Sequence, residues 1–155
     1  MWGVSRTRKV VGEENDADGR VPDEGVVWIV DPIDGTDNYV RGSRYWATSV
    51  ACLVDGDPIV AVNVLPAMGD TYVGRPDGVT LNGEPASVSD RSDPDRFAVV
   101  PTMWWEFDNR EEYATVTAAI VTRFGDLRRV GSAQASLSHE QLLAAVREIE
   151  RRNGA

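Results

Sequence analysis

The chain has 155 residues, about the size of one domain and enough for one core, with 42% hydrophobic and 26% charged residues. That composition excludes a disordered or fibrous chain, and tandem repeats, low-complexity tracts and apolar runs of membrane-spanning length are absent from the sequence. The net charge of −9, from 25 acids against 16 bases, repels phosphate backbones and argues against nucleic acid as a partner.

Lys9 is the only lysine among those bases. Scarce lysine with abundant acid has two readings: an arginine-biased, GC-rich genome, or a halophile whose internal salt screens the carboxylates. The halophilic reading is favoured, because both signs occur together. Arg6, Arg8 and Lys9 lead into polar sequence rather than an apolar run, so no signal peptide is expected and the expected location is cytoplasmic. Cys52 is the single cysteine, in an apolar stretch, and reads as a buried structural thiol. His139 opens a polar helical segment with nothing nearby that looks like a triad, and reads as a surface or cap-region histidine.

In chain order, Gly12 to Arg20 and Pro22 to Gly25 read as loop. Val26 to Val30 is a continuous apolar run, which fits a strand buried on both faces. That strand is expected to stop in Asp31 to Thr36, where Pro32 and Gly35 forbid continuation and Asp34 or Thr36 could cap a helical turn. Tyr45 to Val54 and Pro58 to Leu65 form a predicted hairpin about Asp55-Gly56. Asp70 to Gly74 and Gly78 to Gly83 are two further short strands with Asn82-Gly83 as a turn, and Phe97 to Val100 is another. From Asp108 the period changes to three and four residues, predicting an amphipathic helix that uses Tyr113, Val116, Ile120 and Phe124 and ends at Gly125. Arg128 to Leu137 reads as a strand end followed by a helix start, and His139 to Arg152 as a helix with Leu142, Leu143, Val146 and Ile149 on one face. The expected fold is an α/β layered sandwich: a mostly antiparallel sheet with flanking helices.

Chemistry concentrates in Glu13, Asp31, Asp34, Gly35 and Thr36. Asp31 and Asp34 flank Pro32-Ile33 at the mouth of a strand, and two carboxylates held that close are unfavourable without a cation between them. Mg²⁺ suits carboxylates, a carbonyl and waters, and Pro32 could aim the Ile33 carbonyl at the same ion. Gly35 and Thr36 open a helical turn whose free N–H groups suit a phosphate. Metal beside an anion hole describes phosphoester hydrolysis. Taken singly, D-x-x-D-G-T is a common turn and Glu13 and Glu14 are loop acids; here the acids follow a strand, precede a helix start and have a second acidic pair upstream.

Trp28 to Asn38, with the sequence WIVDPIDGTDN, resembles the first signature of the inositol monophosphatase family, which includes archaeal fructose-1,6-bisphosphatases. Gly12-Glu13-Glu14 resembles its upstream metal-binding loop, and Arg129 to Ala133 is similar to its later strand-to-helix segment near the sugar site. The resemblance implies that Glu13, Asp31 and the Ile33 carbonyl hold a first Mg²⁺, and that Asp31 and Asp34 share a second. It implies that Thr36, with Glu13 or Glu14, orients an attacking water, and that Gly35 and Thr36 bind the phosphate through backbone N–H groups. Gly131, Ser132 and Ala133 would lie near the sugar. Water would attack in line, without a covalent phosphoenzyme.

Two departures accompany this likeness. Family members are longer, and their N-terminal helices and a later Trp-Asp-x-x-Ala-Gly signature have no counterpart here, since no tryptophan precedes an Asp. The passage from Ser138 straight into His139 to Ile149 resembles the family's last helix, so the expected organisation is a metal-binding half, 1–138, joined by an internal deletion to a C-terminal helix, 139–155. A second metal held by two carboxylates alone would be bound weakly, and exposed sheet faces invite self-association. Two functions therefore stand: a Mg²⁺-dependent phosphatase of small sugar or inositol phosphates, or a catalytically impaired relative acting only through association.

Overall fold

A computed structural model describes residues 8–12, 21–101 and 107–138. Glu13, Glu14 and the predicted helix from His139 to Arg152 lie outside these residues. Seven strands form one sheet in the order β1 to β7: β1 (Arg8–Gly12), β2 (Val26–Asp34), β3 (Ala47–Val54), β4 (Asp57–Leu65), β5 (Asp70–Arg75), β6 (Gly78–Leu81) and β7 (Glu84–Ala86). β1 runs parallel to β2, and every later neighbour is antiparallel, so the sheet is mixed and mostly antiparallel as expected. A second, two-stranded parallel sheet joins β8 (Ala98–Val99) to β9 (Asp126–Leu127). The α-helices among the described residues are α1 (Thr36–Val40), α2 (Arg110–Arg123) and α3, residues 133–138. No helix among the described residues is long and apolar enough to cross a membrane.

Both predicted two-residue turns are present. Asp55 and Gly56 have φ of 52° and 84°, and Asn82 and Gly83 have φ of 51° and 88°. Positive φ at both central positions gives a hairpin turn whose twist matches that of its strands, and Asn-Gly and Asp-Gly reach that conformation at least cost. These turns fix the register, and the register decides which residues meet α3. Ala47, Leu65 and Tyr72 from the sheet pack against Ala135 of α3, with Met68, Val79 and Leu81 around them. Full burial of a side chain such as Leu65 stabilises the fold by about 2 kcal/mol.

Two expectations need correction. The run Val26 to Val30 is not buried on both faces: Val27 is 1% exposed but Trp28 is 40% exposed. Strand side chains alternate, and only one of these two residues faces a covered side. The strand ends at Asp34, within the segment Asp31 to Thr36 where it was expected to stop, and pairs with β3 to that point. In α2 the expected face is only half-buried: Tyr113, Thr117 and Ile120 are its more sheltered residues and none is fully buried, while Phe124, just past the helix, stacks on Phe97 with ring centroids 6.4 Å apart.

Ser49, Asn63 and Tyr72 stand opposite one another on β3, β4 and β5. Asn63 spends its amide on α3, donating from Nδ2 to Gln134 Oε1 at 3.2 Å and to Ser138 Oγ at 3.3 Å. The Tyr72 hydroxyl is buried without a hydrogen-bond partner among the described residues. Burial, with the Asp70 carboxylate as the lesser cause, pushes its pKa up to about 12 from the ordinary 10.0. Tyr72→Phe removes an unsatisfied oxygen and keeps the packing, so it should raise stability by about 1 kcal/mol in urea unfolding. The folded state holds the Tyr72 proton more tightly than the unfolded state does. Stability is therefore full below pH 10 and falls as pH rises toward 12, and Tyr72→Phe should flatten that decline.

Candidate functional site

The site begins with an irregularity in a ladder. Asp31 pairs with Ser49, and Asp34 pairs with Ala47, so three steps along β2 match two along β3. The extra residue makes a β-bulge, which bends the strand and re-aims the side chains on either side of Pro32-Ile33. Proline, having no N–H to lose from the ladder, is tolerated there. Two local bonds hold the bulge. The Ile33 N–H donates to Asp31 Oδ1 at 3.2 Å, and the Thr48 hydroxyl donates to the Pro32 carbonyl at 2.8 Å.

The chain then turns at Gly35, with φ of 85°, into α1. Neither Asp34 nor Thr36 caps this helix, contrary to expectation: the N-cap is Gly35, which has no side chain to offer. The Thr36 hydroxyl instead donates back to the Ile33 carbonyl at 3.0 Å. Asp34 is employed elsewhere. Its Oδ2 accepts from the Ser132 hydroxyl and from the Gln134 N–H at 2.8 Å, and its Oδ1 accepts from the Ala133 N–H at 3.3 Å. Ser132 Oγ in turn accepts from the Ala135 N–H at 3.0 Å, and the Ser136 N–H reaches the Ser132 carbonyl at 3.1 Å. The first N–H groups of a helix have no partner within it. In α3 those of Ala133, Gln134 and Ala135 are all satisfied, two by a carboxylate from a strand roughly a hundred residues earlier and one by the preceding serine.

Asn38, quoted within the signature but given no role by sequence reasoning, ties the same parts together. Its Nδ2 donates to the Tyr45 carbonyl at 2.6 Å and to the Val130 carbonyl at 2.7 Å. Gly131, with φ of 79°, lies against this amide, and a Cβ there would meet Asn38 Nδ2 at 3.2 Å. Asp31, Ile33, Asp34, Gly35 and Thr36 are thus brought to one turn, with Gly131, Ser132 and Ala133 packed upon it. The donors of Ser132 and Ala133 are turned toward Asp34. Nothing in the local sequence pattern announces Asn38, Gln134 or Asn63, because each has a partner 71 or more residues away.

Among the described residues, no three of His, Cys, Asp and Glu gather closely enough to hold a metal ion. Asp31, the Ile33 carbonyl and Asp34 are the oxygen donors that this turn offers, the carbonyl already accepting from the Thr36 hydroxyl. A hard divalent cation with oxygen ligands suits this donor set, since Oδ1 of Asp34 carries only one long hydrogen bond and so keeps acceptor capacity.

A Cβ at Gly35 would lie 2.8 Å from Ser132 Cβ and 3.2 Å from two carbonyl oxygens, whereas one at Gly42, with φ of 72°, would meet nothing within 4 Å. Gly42→Ala should therefore cost only left-handed strain, about 1 kcal/mol, and Gly35→Ala about 2–4 kcal/mol. Urea unfolding of the two variants measures the difference, which reports the close approach of the 131–132 segment.

The inositol monophosphatase family model matches residues 5–148. The chain is 31% identical over 135 residues to a fructose-1,6-bisphosphatase/inositol-1-monophosphatase of Aquifex aeolicus, covering 83% of this chain and 49% of that protein. It is 28% identical over 138 residues to the Nus factor SuhB of Pseudomonas aeruginosa, covering 86% and 51%. The structure of a Thermotoga maritima IMPase superposes with a TM-score of 0.70 at 25% identity, over 81% of this chain and 46% of that one. The chain spans about half the length of the curated relatives it matches. A mixed sheet with a carboxylate-bearing bulge, matched by its family over nearly the whole chain, places this protein in the inositol monophosphatase family.

Proposed function

We propose that the chain is a Mg²⁺-dependent phosphatase of small sugar or inositol phosphates, with inositol monophosphate and fructose-1,6-bisphosphate as the leading substrates. The observation that carries this reading is the bulge at the end of β2, which gathers Asp31, the Ile33 carbonyl, Asp34 and Thr36 into one oxygen-rich turn. Glu13, Asp31 and the Ile33 carbonyl would hold one Mg²⁺, and Asp31 with Asp34 a second. Bound Mg²⁺ supplies Lewis-acid stabilisation of phosphoryl oxygens and lowers the pKa of a bound water. Thr36, with Glu13 or Glu14, would orient the water for in-line attack; in the structure its hydroxyl is already anchored on the Ile33 carbonyl, which fixes its position. The Gly35 and Thr36 N–H groups would face the phosphate, and Gly131, Ser132 and Ala133 would border the sugar.

The test is phosphate release from inositol 1-phosphate and fructose-1,6-bisphosphate, in molar KCl with Mg²⁺, with Asp31→Asn as control. Release that depends on Mg²⁺ and falls at least about a hundredfold in Asp31→Asn is the expected result. Folded protein that releases no phosphate from either ester would instead favour a family member that works through association, the second function the sequence allows.

A further inference from the structure

The chemistry proposed for the β2 bulge assigns Asp34 to a cation, yet three donors already converge on its carboxylate. A carboxylate offers about four acceptor positions, and here Oδ2 takes the Ser132 hydroxyl and the Gln134 N–H while Oδ1 takes the Ala133 N–H. Charge-assisted bonds of this kind are stronger than neutral ones, and a carboxylate at the start of a helix also meets the positive end of its dipole. The neighbours of Asp34 act on the same segment. Gly35 lets the backbone approach Ser132 to a distance that any Cβ would forbid, and Asn38 holds the Val130 carbonyl.

We propose that Asp34 is a positioning residue: together with Gly35 and Asn38 it forms a socket that seats residues 130–134, and this seat assembles the site from two parts of the chain about a hundred residues apart. The inference deepens the phosphatase reading, since it concerns the same turn, but the seat needs neither metal nor turnover. It also changes how a variant is understood. Loss of activity in Asp34→Asn would follow from an unseated α3 as well as from a lost ligand oxygen, because an amide offers one acceptor oxygen where the carboxylate offers two.

Amide hydrogen exchange, measured by NMR on the full chain in EDTA and without substrate, separates these effects. In Asp34→Asn the Ala133 and Gln134 amides should exchange about ten- to a hundredfold faster, the factor expected for losing a hydrogen bond to a charged group. The protected amides of the β4–β5 ladder should keep their rates. Ser132→Ala should release the Ala135 amide, and the double variant should leave Ala133 and Gln134 no faster than Asp34→Asn alone, because the two side chains act as one unit. Unchanged exchange at Ala133 and Gln134, or equal acceleration throughout the sheet, would overturn the proposal. Should Asp34→Asn fail to fold, Ser132→Ala decides alone: faster exchange at Ala135 and Gln134 supports the seat, and none refutes it. A chain that shows this pattern but releases no phosphate keeps the seat and loses the phosphatase reading; turnover without the pattern does the reverse.

Discussion

The Asp34 carboxylate is the point at which this structure is joined to itself. It ends the β2 bulge, and it accepts from two of the first N–H groups of α3, which have no partner within the helix. The arrangement explains why the chain needs glycine at position 35: the strand must turn sharply enough to bring Asp34 against Ser132, and a side chain there would occupy the same space. It also explains why Asn38 has both of its donations directed at carbonyls of other segments rather than at α1. The short helix α1, only five residues long, serves as the arm that carries Asn38 to those carbonyls.

Around that junction the rest is regular. Five successive antiparallel ladders set Ala47, Leu65 and Tyr72 on the face that receives Ala135, and small residues there let α3 lie close to the sheet. The polar bonds from Asn63 fix the helix along its length, while Asp34 fixes its beginning. Among the described residues of α3 the one large apolar side chain, Leu137, is exposed, so directional bonds rather than a large apolar anchor determine where this segment sits. That arrangement also leaves the carboxylate pair on a rigid element rather than on a free loop, which suits a site needing oxygen atoms at fixed spacing.

Much of this was legible in the residues. The hairpins followed from Asp55-Gly56 and Asn82-Gly83, since only certain residues adopt positive φ cheaply. The signature from Trp28 to Asn38 identified the turn that the structure builds from a bulge, and the family followed from it. What the sequence did not disclose was long-range or two-sided. A run such as Val26 to Val30 reads the same whether one face or both are covered, and only the fold leaves Trp28 partly in water. Asp34 reads as a metal ligand because an upstream strand and a turn are visible nearby, whereas its three donors arrive from residues 132–134, which local pattern cannot place. The amphipathic period of α2 was real as a spacing, but spacing alone does not guarantee full burial of the face.

The order of the strands carries one more implication. From β2 to β7 each strand pairs with the next along the chain, so the whole meander can form as it leaves the ribosome, closing only short loops. Residues 130–134 emerge later, and their union with Asp34 closes a loop of nearly a hundred residues, an entropic cost best met when the sheet is already built. The carboxylate turn is therefore made early and completed late. During synthesis the meander can stand complete before α3 arrives to meet Asp34.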